Sequence, residues 1–115
     1  EGEIAERQRI YPEIFRGAMG PIVEIGSGRG ELQRLFSSAG LESYGVDLDV
    51  AMVNVANSQG CKTFHGDGIA HLRSLGDGSL GGLVAIQVVE HLTRQQLQEL
   101  FSLRIPSDIW EPWLD

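Results

Sequence analysis

Two rhythms of apolar and polar residues alternate along this chain and predict its elements. Ile22, Val23 and Ile25 form a compact β-branched run, so residues 21–25 are predicted as a buried strand. Leu32, Leu35 and Phe36 recur at helical spacing, which predicts a helix over roughly 30–39 with Gly40 at its C-terminal cap. Residues 43–47, SYGVD, return to strand. Asp49 is placed to cap a helix over 50–58 that turns Met52, Val53 and Ala56 inward, and Gly60 ends it. Residues 61–65 read as a third strand, 69–74 as a short helix and 75–82 as a turn-rich loop. Leu83 to Val89 is apolar at six of seven positions, as a strand covered on both faces should be. Thr93 caps a last helix, 94–103, with Leu97, Leu100 and Phe101 on one side. Before all of these, 3–17 reads as one helix, or as two broken near Tyr11 by Pro12. In the tail, Pro106 and Pro112 forbid a continuous helix, Trp110 and Trp113 fit no pattern, and nothing beyond Leu103 has strand character. Strands alternating with helices predict right-handed crossovers and a parallel α/β sheet.

The stretch PIVEIGSGRGE, residues 21–31, concentrates the candidate chemistry. Gly26, Gly28 and Gly30 stand at alternate positions between the first strand and the first helix. Glycine accepts positive φ there and lets a ligand lie against bare backbone, and the helix amides beyond face that ligand. Glu31 occupies the place where the dinucleotide-binding fingerprint has its third glycine. Ligands of an open parallel sheet lie outside the carboxyl ends of its strands. Every predicted strand end here carries a polar group: the glycine turn, Asp47, Asp67, and Gln87 with Glu90 and His91. Asp47 suits the hydroxyls of a ribose, and Asp67 an adenine amino group. Asp67, between glycines, is also ordinary turn chemistry. Glu24 lies inside an apolar run, where an unpartnered carboxylate is costly, so it is expected to accept hydrogen bonds from loop amides or a bound amine. His65 and His71 read as surface or core histidines, and Cys61 as core.

Bulk properties narrow the classes. A chain of 115 residues suits one domain. A formal charge of −7 without a basic cluster argues against a nucleic-acid binder. One cysteine excludes an intrachain disulfide and fits a reducing cytoplasm, the expected location. No signal peptide, lipidation motif or long apolar span is present, so no membrane partner is expected.

Four ordered segments, PIVEIGSGRGELQRLF, GVDLDVAMV, HGDGIAHL and DGSLGGLVAIQVVEHL, together resemble the class I (Rossmann-like) S-adenosylmethionine-dependent methyltransferase family. The resemblance is closest to its type 11 or 12 group, which includes domains beside bacterial glycosyltransferases, and runs from about Ile10 to Leu103. It implies a three-layer Rossmann-like open sheet, parallel strands in the order 3-2-1-4 with flanking helices, lacking the usual later strands. It implies S-adenosylmethionine as cofactor, with Gly26, Ser27, Gly28 and Gly30 at its methionine and ribose part and Glu24 nearby. Asp47 would hold the ribose hydroxyls. Leu48 and Met52 would meet adenine, Met52 being also a core residue. Asp67, Gly68 and Ile69 would meet the adenine edge, and Gln87 the methionine end. The reaction is then an in-line methyl transfer to a small-molecule or glycan-related acceptor, with His91 as candidate base. Residues 1–20 would be a helical cap and linker, 21–103 the cofactor-binding domain and 104–115 a non-family tail.

Two departures shape the expectations. The family continues with a fifth strand and an antiparallel strand pair, whereas the tail SLRIPSDIWEPWLD does not resemble that continuation. This suggests a truncated or frame-altered chain. The bare fourth-strand edge would need the tail, or a homodimer partner, to cover it. Also, Gln87-x-x-Glu90-His91 resembles the metal pattern E-x-x-E-H of small-RNA 2′-O-methyltransferases, but an amide replaces the first carboxylate, so no metal is expected. The rivals are a non-catalytic domain binding S-adenosylmethionine or S-adenosylhomocysteine, and a nicotinamide-dependent oxidoreductase. The glycine spacing and the lack of a second mononucleotide-binding half oppose the latter.

Overall fold

The computed structural model describes residues 10–75, 79–85, 93–96, 98 and 110–111. Among these the chain forms α1 (Ile10–Ile14), β1 (Ile22–Ile25), α2 (Glu31–Ser38), β2 (Ser43–Asp47), α3 (Val50–Ser58), β3 (Thr63–His65), α4 (Gly68–Arg73), β4 (Gly82–Val84) and β5 (Trp110–Glu111). The sheet order is β3-β2-β1-β4-β5 and every pairing is parallel. The four strands of the sequence reading therefore stand in the expected order 3-2-1-4, the Rossmann-like α/β arrangement.

β1 is the central strand, with Ile22 opposite Ser43 on one side and Gly82 on the other, and all four of its residues are buried. Strand alternation divides the core. Val23 and Ile25 join Tyr44, Val46, Leu83 and, from α4, Ile69 and Leu72. Ile22 joins Tyr11 and Phe15 from the α1 side, Leu32 and Phe36 of α2, and Val84. Phe15 and Phe36 are fully buried and meet edge to face, ring centroids 5.7 Å apart. Gly82 is the space they need, since a Cβ there would lie 2.4 Å from the Phe15 ring.

Helix ends follow the capping residues. Asp49 accepts the Ala51 amide at 2.9 Å and starts α3, as expected. Both α2 and α3 close with a left-handed glycine, Gly40 and Gly60, each in a Schellman motif: Leu41 N–H donates to the Phe36 carbonyl and Cys61 N–H to the Ala56 carbonyl. Thr93 and Gln96 exchange backbone-to-side-chain hydrogen bonds, a capping box at the start of the last expected helix.

Several expectations change. Pro12 sits in the first turn of α1, where its missing N–H has no intrahelical partner to lose, and residues 3–9 of the expected N-terminal helical stretch lie outside the described residues. β3 begins at Thr63 rather than at residue 61, and α4 begins at Gly68 because Asp67 is its N-cap. The reading that nothing beyond Leu103 has strand character is overturned. Trp110 and Glu111 run parallel to β4, opposite Leu83 and Val84. The chain's own tail thus meets this edge at Leu83 and Val84, one of the two coverings expected, the other being a second copy. Residues 1–9, 86–89 and, in the last helix, Leu97 with 99–103 lie outside the described residues, as does Trp113.

Phe36→Ala should destabilise the fold by ~3–5 kcal/mol, the cost of emptying a fully packed aromatic site. Urea denaturation checks it, and a loss within measurement error would mean that the two-phenylalanine core does not anchor α2.

Candidate functional site

The turn after β1 owes its shape to glycine. Gly26, Gly28 and Gly30 all have positive φ, 75°, 58° and 83°, a region costly for other residues. Their environments differ. A Cβ on Gly28 would meet nothing within 4 Å, so this α-carbon faces open space. A Cβ on Gly30 would lie 2.5 Å from Cys61 Sγ, so Gly30 is packed against the loop before β3. Gly30 is also the N-cap of α2 and supplies no side chain to cap its amides.

Asp47 holds the turn. Its Oδ2 accepts the Gly28 amide at 2.8 Å and its Oδ1 accepts the Asp49 amide at 2.8 Å. One half-buried carboxylate therefore fixes the glycine turn and the entry to α3. Charge-assisted bonds of this kind contribute about 1.5–3 kcal/mol each. Beneath the turn, Ser27 turns its side chain inward over Gly45, where a Cβ would lie 2.2 Å from Ser27 Oγ. Gln33 fills the same layer, accepting from Thr63 Oγ1 at 3.3 Å and donating to the Lys62 carbonyl at 3.0 Å.

Of the two partners expected for Glu24, loop amides and a bound amine, the loop amides do not reach it. The loop amide at Gly28 goes to Asp47, and Glu24 Oε1 is buried without a hydrogen-bond partner, as is Ser27 Oγ. Burial, then the carboxylates of Glu31 and Asp47, push the Glu24 carboxyl well above the usual carboxylate range. Glu31 is thus part of the site's electrostatics, which sequence reasoning missed. The available signal was an acid in the first turn of a helix that follows a glycine turn.

The remaining candidates separate into rim and support. Leu48 and Val50, which follow Asp47 closely along the chain, are exposed, 69% and 53%, and Met52 is half-buried. His65 Nε2 holds the Leu48 carbonyl at 3.0 Å. Asp67 is exposed and caps α4, accepting the Ile69 amide at 3.3 Å. Gly68 packs on Ile25, and Ile69 lies in the core. His71 pairs with the Tyr44 hydroxyl. Gln87, Glu90 and His91, and with them the candidate base, lie outside the described residues. Among the described residues no group of acids, histidines and cysteine has the makings of a metal site, and no helix is long and apolar enough to cross a membrane. A separate open cleft of about 470 Å³ runs between α2 and the α3–β3 loop, and no candidate residue lines it.

Comparison with known proteins gives this constellation a context. The family model described as "Methyltransferase domain" matches residues 23–103. A SAM-dependent methyltransferase from Archaeoglobus fulgidus superposes with a TM-score of 0.81 at 35% identity, over 89% of this chain and 45% of that one. Magnesium protoporphyrin IX methyltransferase from Synechocystis, solved with SAM bound, gives 0.63 at 20% identity, over 87% and 50%. A sugar N-methyltransferase from Streptoalloteichus gives 0.65 at 16% identity, over 96% and 48%. The latter two show likeness of fold alone. The chain spans about half the length of these solved structures. No curated protein matches it in sequence.

Two measurements test the geometry itself. Asp47→Ala should speed hydrogen exchange at the Gly28 and Asp49 amides by at least roughly tenfold, because each loses a charge-assisted acceptor. Unchanged protection would show that the turn holds itself. For Glu24, folding raises the pKa, so the folded chain keeps that proton more tightly than the unfolded one. The resulting stability is full below the ordinary value of 4.5 and is lost as pH rises through the raised value. Glu24→Gln removes this titration, so its gain in thermal midpoint over the parent should be larger at about pH 8 than at about pH 5. An equal gap at both would show an ordinary carboxylate.

Proposed function

We propose a function from one premise: this chain belongs to the methyltransferase domain family. Within the S-adenosylmethionine-dependent methyltransferase fold, we read the turn after β1 as the seat of S-adenosylmethionine. The observation that carries this is the pairing of an unobstructed Gly28 with a carboxylate, Asp47, at the adjoining strand end. The residues present fit the cofactor. The orphaned Glu24 oxygen suits a cationic group, the bare Gly28 α-carbon suits close approach, and the exposed Leu48 suits a flat ring.

On this reading Asp47 accepts the ribose hydroxyls while keeping its two amide bonds, because each carboxylate oxygen has a second lone pair. Leu48 and Met52 floor the adenine, and Asp67, Gly68 and Ile69 border its edge. Gly26, Ser27 and Gly30 contribute backbone and shape the turn, and Gln87 lines the methionine end. The bound cofactor supplies an activated sulfonium methyl group for transfer to a nucleophile. The chain's own residues supply alignment and exclude water. His91 is the residue read as base for an acceptor that must lose a proton. The acceptor is read as a small molecule or glycan-related compound, and the setting as cytoplasmic. Residues 21–103 form the cofactor-binding unit, with 1–20 as cap and 104–115 as a tail that pairs with β4.

A second reading keeps the site and drops the transfer: a domain that holds S-adenosylmethionine or S-adenosylhomocysteine. Every candidate residue that the structure describes belongs to the cofactor's seat, which keeps this reading in view.

Calorimetric titration with S-adenosylmethionine, S-adenosylhomocysteine and NAD tests the cofactor reading. The first two should bind and NAD should not. Asp47→Ala should weaken S-adenosylhomocysteine by ~2–3 kcal/mol, about 30- to 150-fold. Unchanged affinity in a folded variant would remove Asp47 from the site, and preference for NAD would defeat the reading.

A further inference from the structure

The peptide between Leu48 and Asp49 is held at both of its polar ends. Its N–H, on Asp49, donates to Asp47 Oδ1 at 2.8 Å, and its carbonyl, on Leu48, accepts from His65 Nε2 at 3.0 Å. The second contact crosses from one strand end to another. β3 pairs with β2 so that His65 lies opposite Asp47, and the Gly66 amide closes the ladder on the Asp47 carbonyl at 3.0 Å. The His65 ring then reaches one residue past the end of β2. Three acids stand at this end of the sheet, and each turns to backbone amides: Asp47 to Gly28 and Asp49, Asp49 to Ala51 and Met52, Asp67 to Ile69. His65 does the converse and takes a carbonyl. A carbonyl only accepts, so Nε2 carries a proton, and the neutral tautomer protonated at Nδ1 does not fit.

These contacts form one chain across three strands: His65 on β3 to the Leu48–Asp49 peptide, that peptide to Asp47 on β2, and Asp47 to the Gly28 amide after β1. A peptide released at its carbonyl rotates as a unit about the dihedrals on either side, which turns its N–H away from Oδ1. His65 and Leu48 are both exposed, so water can replace the bond and its contribution to stability is small. What the bond selects is one orientation of one peptide. Resting on the reading of this turn as the seat of S-adenosylmethionine, we propose that His65 is a positioning residue of that seat. It acts through the peptide it holds, which sets the carboxylate read as taking the ribose and the Leu48 side chain read as meeting adenine. The edge strand β3 thereby contributes to the affinity of a site built on β1 and β2. Loss of the bond falls on binding, through lost preorganisation, and not on folding.

Three variants of the intact chain separate this role from a merely structural one. Gln carries an N–H donor as many bonds from the backbone as Nε2, and Asn carries one where Nδ1 stands. In calorimetric titration, His65→Ala and His65→Asn should weaken S-adenosylhomocysteine by roughly three- to tenfold, and His65→Gln should bind within about twofold of the parent. All three should keep the parent's thermal midpoint, and in the two weakened variants the Asp49 amide should exchange faster with solvent. Nitrogen-15 NMR of the parent, which needs no variant, should find the neutral ring protonated at Nε2. Parent-like affinity in His65→Ala, equal loss in His65→Gln, or a neutral ring protonated at Nδ1 overturns the proposal and leaves the cofactor reading intact. So does unfolding of His65→Ala, which would make the residue structural. Failure of the parent to bind S-adenosylhomocysteine overturns both.

Discussion

One carboxylate holds the functional end of this sheet in shape. Asp47 takes the Gly28 amide with one oxygen and the Asp49 amide with the other, so β2 grips the turn that leaves β1 and the helix that follows itself. The grip requires the two strands to stand at one height, which the Ile25–Val46 register provides. It also requires the turn to sit low over β2. That is possible because Gly45 has no side chain, and Ser27 and Gln33 occupy the vacated layer. Position, register and a missing Cβ are thus separate conditions on the same pair of hydrogen bonds.

Glu24 contrasts with Asp47 only a strand away. Its register position on β1 is one that the core would fill with an aliphatic residue, and the face it shares holds Ile22. A carboxyl there, with a buried oxygen unpartnered, breaks the rule that buried polar groups are satisfied. Such departures concentrate where a protein's stability is subordinate to what it binds. Glu31 and Asp47 intensify the departure by adding negative charge to a place that already disfavours it. Three carboxyl groups thus crowd one turn.

Much of the fold was legible because local chemistry marks its boundaries. α3 has the expected limits, 50–58, since Asp49 starts it and Gly60 stops it. β2 has the expected 43–47, since its alternation and the following cap leave no other register. β5 was not legible. A two-residue strand between prolines has no period, and only its neighbour β4 gives it a strand's conformation. Within the site, Asp47 could be singled out by its place at a strand end, but its bond to Gly28 arises from proximity that spacing does not encode. Glu24 was read as a carboxylate meeting loop amides or a bound amine, and the turn spends its central amide on Asp47. Gly30 was read as a point of ligand approach, and the contact of its α-carbon with Cys61, between loops far apart in sequence, was not legible. Glu31 was overlooked because its importance lies in the field it exerts, not in any pattern it completes.

The parallel order has a consequence in time. β1 pairs on one side with β2, the next strand, and on the other with β4, which the chain reaches only after three helices and two strands have been made. During vectorial synthesis one edge of the central strand is satisfied early, while the backbone along Ile22, Val23 and Glu24 waits for Gly82–Val84. Contacts so distant in sequence are entropically late. The nascent chain therefore carries an open strand edge until Gly82–Val84 follows. Its protection in that interval depends on how soon β4 arrives, so the length of chain between β1 and β4 sets how long the edge stays open.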